Sequence, residues 1–160
     1  MGQFGALEIA LETPDQPAVR AMLDASDAYM ADLYPPQSNH LLDVEALLAT
    51  TVRFCVARLD GRGVGCGALV LGDDRSAEVK RMWVDPTARG RGVGRRILMV
   101  LEQIARDENR RMLRLELGIA QPAAYRMYRD AGFSEIPPFG AYEHDPLSLF
   151  MQKSLADQPG

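Results

Sequence analysis

Cysteine is scarce in this chain, and the two that occur, Cys55 and Cys66, sit apart in apolar, β-like runs. No CxxC pair and no Cys/His spacing surrounds them, so no metal site can be read from them. They are expected to be buried, reduced thiols. Long apolar runs are missing as well: nothing approaches the ~18 residues of a membrane span. The first ten residues lack the basic-then-apolar order of a signal peptide. These absences predict a cytoplasmic protein with no metal and no membrane partner. Excess positive charge is also absent. With 18 Lys and Arg against 22 Asp and Glu the net charge is −4, which speaks against a broadly basic surface for nucleic acid.

What is present is the balance of a folded globular domain. Apolar residues make up 47% and charged residues 25% of 160 positions, enough for one domain with a real core. The reading is a single domain over residues 1–154 and a tail over 155–160, with no repeat and no low-complexity segment.

Periodicity gives the order of elements. A strand over Leu7 to Glu12 precedes a helix that Pro17 opens and Tyr34-Pro35-Pro36 ends. A short helix follows from about Asp43 to Ala49. Two β-rich runs, Val52 to Leu59 and Val64 to Leu71, flank Asp60-Gly61-Arg62-Gly63, a hairpin signal. A third runs from Ala77 to Val84. Apolar Ile97, Leu98, Leu101, Ile104 and Ala105 recur at helical spacing. Met112 to Leu117 alternates as a strand, Pro122 opens another helix, and Gly132 caps it. Strands over Phe133 to Ile136 and Leu147 to Lys153 close the chain. The predicted class is α+β: a mixed, mostly antiparallel sheet with a βαβ unit at its centre.

One segment needs an anion to explain it. Arg89-Gly90-Arg91-Gly92-Val93-Gly94-Arg95-Arg96 crowds four arginines and three glycines between a strand and a helix start. A helix N-terminus presents unpartnered N–H groups and partial positive charge. Glycines let a backbone approach a bulky anion, and arginines add charge-assisted contacts. The chemistry is that of a pyrophosphate cradle. It is not a P-loop, because Gly-x-x-x-x-Gly-Lys-Ser/Thr is absent. Nor is it a dinucleotide turn, although Glu116 lies at a tempting distance. Asp85 to Arg89 separates the glycines from the strand, and Gly90, Gly92, Gly94 is the wrong spacing.

Arg89-x-x-Gly92-x-Gly94 after Val84-Asp85-Pro86 resembles the acetyl-CoA-binding motif of the GNAT superfamily of N-acetyltransferases. The later Tyr128-x-x-x-Gly132-Phe133 falls in family order, and the likeness covers about Val52 to Lys153. The resemblance implies acetyl-CoA as co-substrate. Backbone N–H groups from Arg89 or Gly90 through Arg91, Gly92, Val93, Gly94 and Arg95 would then hold the pyrophosphate. Met82, Trp83 and Val84 would pair with the pantetheine arm, and a backbone N–H there would polarise the thioester carbonyl. The family's splayed strands would be this strand and Met112 to Leu117. Gln121 stands where many members have Asn near the helix start.

Acyl transfer to an amine needs a base for the amine and a donor for the thiolate. By resemblance Tyr128 is the acid, with a packing contact to Phe133 across the cap as the other reading. Tyr125 is a substitute donor. Glu78 is the candidate base, or simply a partner of Lys80. Strict alternation would put Glu78, Lys80, Met82 and Val84 on one face and Val79, Arg81 and Trp83 on the other. The substrate-facing parts would offer Tyr34, His40, Phe139, Tyr142, His144 and Asp145. The expected activity is acetylation of a small-molecule or amino-acid-like primary amine. A silent acyl-CoA sensor and a peptide or protein N-acetyltransferase are the alternatives, in a monomer or a homodimer.

Overall fold

The computed structural model describes residues 6–39 and 41–155. Seven strands form one sheet: β1 (Leu7–Leu11), β2 (Val52–Leu59), β3 (Arg62–Leu71), β4 (Ser76–Val84), β5 (Met112–Gly118), β6 (Ser134–Ile136) and β7 (Ser148–Ser154). Their order across the sheet is β1-β2-β3-β4-β5-β7-β6. Among the pairs only β4 and β5 run parallel, with α3 as the crossover between them. The helices are α1 (Pro17–Leu33), α2 (Val44–Leu47), α3 (Val93–Asp107) and α4 (Pro122–Asp130).

Each helix buries the face its sequence pattern marks. Ile97, Leu98, Leu101 and Ala105 of α3 are almost fully buried against Leu69, Leu113 and Leu115 of the sheet. Tyr128 and Phe133, at the end of α4, join the same core. On the opposite sheet face, Val19, Met22 and Leu23 of α1 and Leu47 of α2 cover Phe54, Val56 and Trp83. Cys55 and Cys66 are buried and free. Burial pushes their thiols up to about 11 and about 12 respectively.

The β2–β3 hairpin is tighter than expected. Asp60 and Gly61 alone form the turn, both with positive φ (52° and 84°), and β3 begins at Arg62. Two left-handed residues match the twist of the flanking strands. The expected tail also starts one residue early: Leu155 is buried, and its N–H donates to the Arg111 carbonyl at 2.8 Å.

Candidate active site

The loop after β4 is built by short-range bonds. Asp85 accepts from the Thr87 N–H at 2.9 Å and from its hydroxyl at 2.6 Å, fixing a 3₁₀ turn over Pro86–Ala88. Those bonds hold the Asp85 carboxyl below its usual range. Arg89 donates from Nε to the Val84 carbonyl at 3.0 Å and stacks its guanidinium over the rings of Trp83 (4.8 Å) and Tyr29 (5.6 Å). Its side chain therefore clamps the loop rather than projecting freely. Gly90 (φ +81°) and Gly92 (φ +78°) then take left-handed turns, and a Cβ on either would meet nothing within 4 Å. The positive φ favours glycine at both positions, and the open space lets a ligand reach the backbone. The Arg96 N–H bonds the Gly92 carbonyl, which caps α3. The N–H groups of Val93, Gly94 and Arg95 thus precede the first intrahelical donor. Their number and direction suit a diphosphate.

Beside this cradle the sheet opens. β4 and β5 pair only at Ser76↔Met112, Ala77↔Leu113 and Glu78↔Arg114, and the pairing stops there. Arg81, with φ +57°, marks an extra residue in β4: Cys66 pairs with Trp83, whereas Ala68 pairs with Lys80. Strict alternation is thereby corrected. Met82 and Val84 turn to the α3 side with Ala77 and Val79, while Trp83 faces α1. A bulge inverts the faces beyond it, so Glu78 and Met82 do not share one. The Arg81 guanidinium is buried against α1. It reaches Asp27 at 2.6 Å and the Leu23 carbonyl at 3.3 Å.

The opening is a cleft of about 620 Å³. Met82, Trp83 and Val84 border it, as do Arg89, Gly90, Gly92, Val93, Gly94 and Arg95 of the cradle and Gln121 and Tyr128 of α4. Arg91 is exposed and does not line it. Gln121 accepts from the Gly118 N–H through its side-chain oxygen at 3.3 Å, so its amide is tied to the end of β5. Tyr128 lies at the cleft edge and also packs edge-on against Phe133, ring centres 5.6 Å apart. Phe133 N–H to Tyr128 carbonyl and Gly132 N–H to Arg129 carbonyl, with Gly132 at φ +104°, complete a Schellman cap. The packing contact and the cleft position coexist. Burial raises the Tyr128 phenol's pKa, which keeps its proton in place at working pH. Tyr125 is elsewhere: its hydroxyl donates to Glu135 at 2.5 Å.

A second cavity, about 940 Å³, adjoins the first; Ser38 and Lys80 border both. Glu78 lines this one and not the cleft. The Tyr142 hydroxyl donates to Glu78 at 2.5 Å and accepts from Lys80 Nζ at 2.6 Å. Lys80 also lies 3.5 Å from Glu78, so the sequence-level pairing of the two is present. Burial, then the Glu78 carboxylate, raises the pKa of the Tyr142 phenol. Phe139, His144 and Asp145 line the same cavity, and Asp145 accepts from the Ser38 hydroxyl at 2.7 Å. His40 lies outside the described residues. Tyr34 is buried, with its hydroxyl over Gly118 and accepting from the Ala120 N–H at 3.1 Å.

Sequence reasoning missed Tyr29 and Glu116, which border the cleft, and Arg114, which lines the second cavity. Arg114 and Glu116 share the sheet face opposite buried Leu113, Leu115 and Leu117, so alternation could have flagged them. Tyr29 offered no local signal, since its neighbours Trp83 and Arg89 are remote in sequence. Among the described residues no cluster of three His, Cys, Asp or Glu could hold a metal.

Known proteins share this arrangement. A family model described as "Acetyltransferase (GNAT) family" matches residues 19–133. An IAA acetyltransferase of Azospirillum brasilense is 48% identical over 92% of this chain and 97% of its own. The structure of a candidate acyl-CoA N-acyltransferase from Klebsiella pneumoniae superposes with a TM-score of 0.79 at 36% identity, over 93% of this chain and 97% of that one. The PaiA N-acetyltransferase of Thermoplasma acidophilum, solved with coenzyme A, shares the fold at a TM-score of 0.71 and 16% identity, over 93% and 99%. Seven mixed strands, a glycine cradle at the start of α3 and a slot between parallel neighbours thus belong to a known lineage: this chain is a member of the GNAT family, an acetyl-CoA-dependent N-acyltransferase.

Proposed function

We propose that the chain acetylates the primary amine of a small, amino-acid-like acceptor by direct attack, with both substrates bound at once. The observation that carries this reading is the pair of adjoining cavities, cradle-side and acceptor-side, with Lys80 and Ser38 on their common border. Acetyl-CoA, when bound, supplies an acyl group activated as a thioester. The N–H groups of Gly90 through Arg95 hold its diphosphate, and the β4 backbone from Met82 to Val84 pairs with its arm and polarises the thioester carbonyl.

The remaining work is proton handling. An ammonium has no lone pair, so Glu78 takes the proton that the attacking amine gives up. Its position in the acceptor cavity, bonded to Tyr142, supports that role. As the C–N bond forms and the C–S bond breaks, Tyr128 gives its phenol proton to the departing sulfur. Its place on the cleft border, across from Met82 to Val84 and the glycine cradle, supports its use as an acid.

The test is calorimetric titration with acetyl-CoA, beside a Gly92→Glu/Gly94→Glu variant, followed by an amine-library acetylation screen read by mass. A Cβ on Gly94 would sit 3.3 Å from Met127 Sδ, and both substitutions put a carboxylate into the cradle. Expected are micromolar binding in the wild type, at least about 100-fold weaker binding in the variant, and turnover of some amines. IAA belongs in the screen because of the Azospirillum relative's name. Binding without turnover across the library would favour a sensor instead.

A further inference from the structure

The acceptor cavity carries charge of both signs, but its groups are not equally engaged. Glu78 is bonded to Tyr142 and flanked by Lys80. Asp145 accepts from the Ser38 hydroxyl and from the Leu147 N–H at 2.8 Å. Asp74 takes the hydroxyl and the N–H of Ser76. Lys80 donates to Tyr142. Arg114 differs. Its one ion pair is a single long contact, 3.3 Å from Nη1 to Asp74, whose carboxylate is 62% exposed. Its Nε is buried and, among the described residues, has no hydrogen-bond partner. The capacity open to a ligand is therefore that of the terminal nitrogens, which one weak, water-screened bond leaves largely unused.

Position sharpens the point. Arg114 is opposite Glu78 on the last rung that joins β4 to β5, and like Glu78 it lines the second cavity. Its guanidinium lies over the Phe139 ring, 5.7 Å from the centre. Phe139, Tyr142 and Phe150 contact one another edge-on, at 5.2 to 5.9 Å between centres. A cation stacked on an aromatic wall is held in plane while its N–H edge stays available, the arrangement that receives a carboxylate in two-point fashion.

Resting on the amine-acceptor reading above, we propose that the acceptor is an amino acid with an apolar or aromatic body, its carboxylate received by Arg114 and its body against Phe139 and Tyr142. The amine then lies towards Glu78 and Lys80, where the two cavities meet. The reaction balances as before: C–N forms, C–S breaks, the amine proton goes to Glu78, and the sulfur leaves as a thiol.

The experiment compares matched acceptors that differ only in the carboxylate: phenylalanine, tyrosine, tryptophan and leucine against their amides. The intact wild-type protein is used with saturating acetyl-CoA. The expected result is a kcat/KM ratio of acid over amide of about ten or more, from the strength of a charge-assisted two-point contact. In Arg114→Gln that ratio collapses to near one, chiefly through KM for the acid, and Arg114→Lys restores it in part. Thermal unfolding and acetyl-CoA affinity of both variants check that they are folded. Wild type acetylating the amides as well as the acids overturns the proposal and leaves the amine-acceptor reading standing. So does an Arg114→Gln variant that binds acetyl-CoA but keeps the ratio. Failure to acetylate any acid, amide or other amine overturns both readings together.

Discussion

The cofactor side and the acceptor side of the cleft are assembled in opposite ways. The cradle is made by neighbours: Asp85 with Thr87, Arg89 with Val84, Arg96 with Gly92. The acceptor cavity is made by strangers. Ser38 meets Asp145 across 107 residues, and Tyr142 meets Glu78 across 64. The cradle owes its shape to a few φ angles and one helix start. The acceptor cavity exists only once α1, β4, β5 and the loop before β7 have docked. A recurring cofactor can be served by a local device, whereas the acceptor side is open to change by any of several distant segments.

The largest expected effect comes from removing one hydroxyl at the cleft border while keeping the ring that packs there. Tyr128→Phe should lower kcat about 100-fold or more, the usual scale for losing a general acid, while the acetyl-CoA dissociation constant stays constant. Steady-state kinetics beside calorimetry reads this, and an unchanged kcat would return Tyr128 to a packing role against Phe133. Next is Gly118→Ala. The new methyl would collide with the Tyr34 ring and hydroxyl, so α1 must shift at its end. The expected cost is about 1–3 kcal/mol of stability, the range for overpacking. Acetyl-CoA affinity should fall more than acceptor KM rises, because Gly118 and Tyr34 line the cleft and not the second cavity. An equal loss on both sides would show that Tyr34 supports the whole slot.

The smallest effect concerns the α1 face of the sheet. Cys66 keeps its proton up to about 12 in the folded chain, against 9.0 for an ordinary thiol, because it is buried. Folded stability from this source is complete below about pH 9 and erodes as pH rises towards 12, since only the unfolded chain then releases the proton. Cys55, Tyr128 and Tyr142, also raised, act in the same direction. Cys66→Ala should flatten the decline in urea midpoint between about pH 8 and about pH 10.5. An identical slope in the variant would mean that the thiol titrates freely.

Legibility followed the same divide. The succession of elements along the chain, the helix that Pro17 opens, the cap at Gly132 and the arginine–glycine loop could be read because each rests on local periodicity or on a residue with special φ preferences. The bulge at Arg81 could not. A left-handed arginine carries no sequence mark, and a single extra residue sent Met82 to the face opposite the one alternation gives. Its reason lies in α1, where Asp27 and the Leu23 carbonyl hold the guanidinium.

By itself the sequence determined the class of fold, the arginine–glycine turn at the start of α3 and the resemblance to acetyl-CoA-dependent enzymes, because these depend on short segments whose geometry their own residues dictate. Tertiary structure alone decided that Glu78 faces the second cavity with Tyr142, that Arg89 is engaged by Trp83 and Tyr29, and that Arg114 lines that cavity thinly partnered. The physical reason is range. Backbone preferences act over a few residues, whereas the partners that engage a charged side chain, or leave it thinly paired, come from wherever the folded chain brings them.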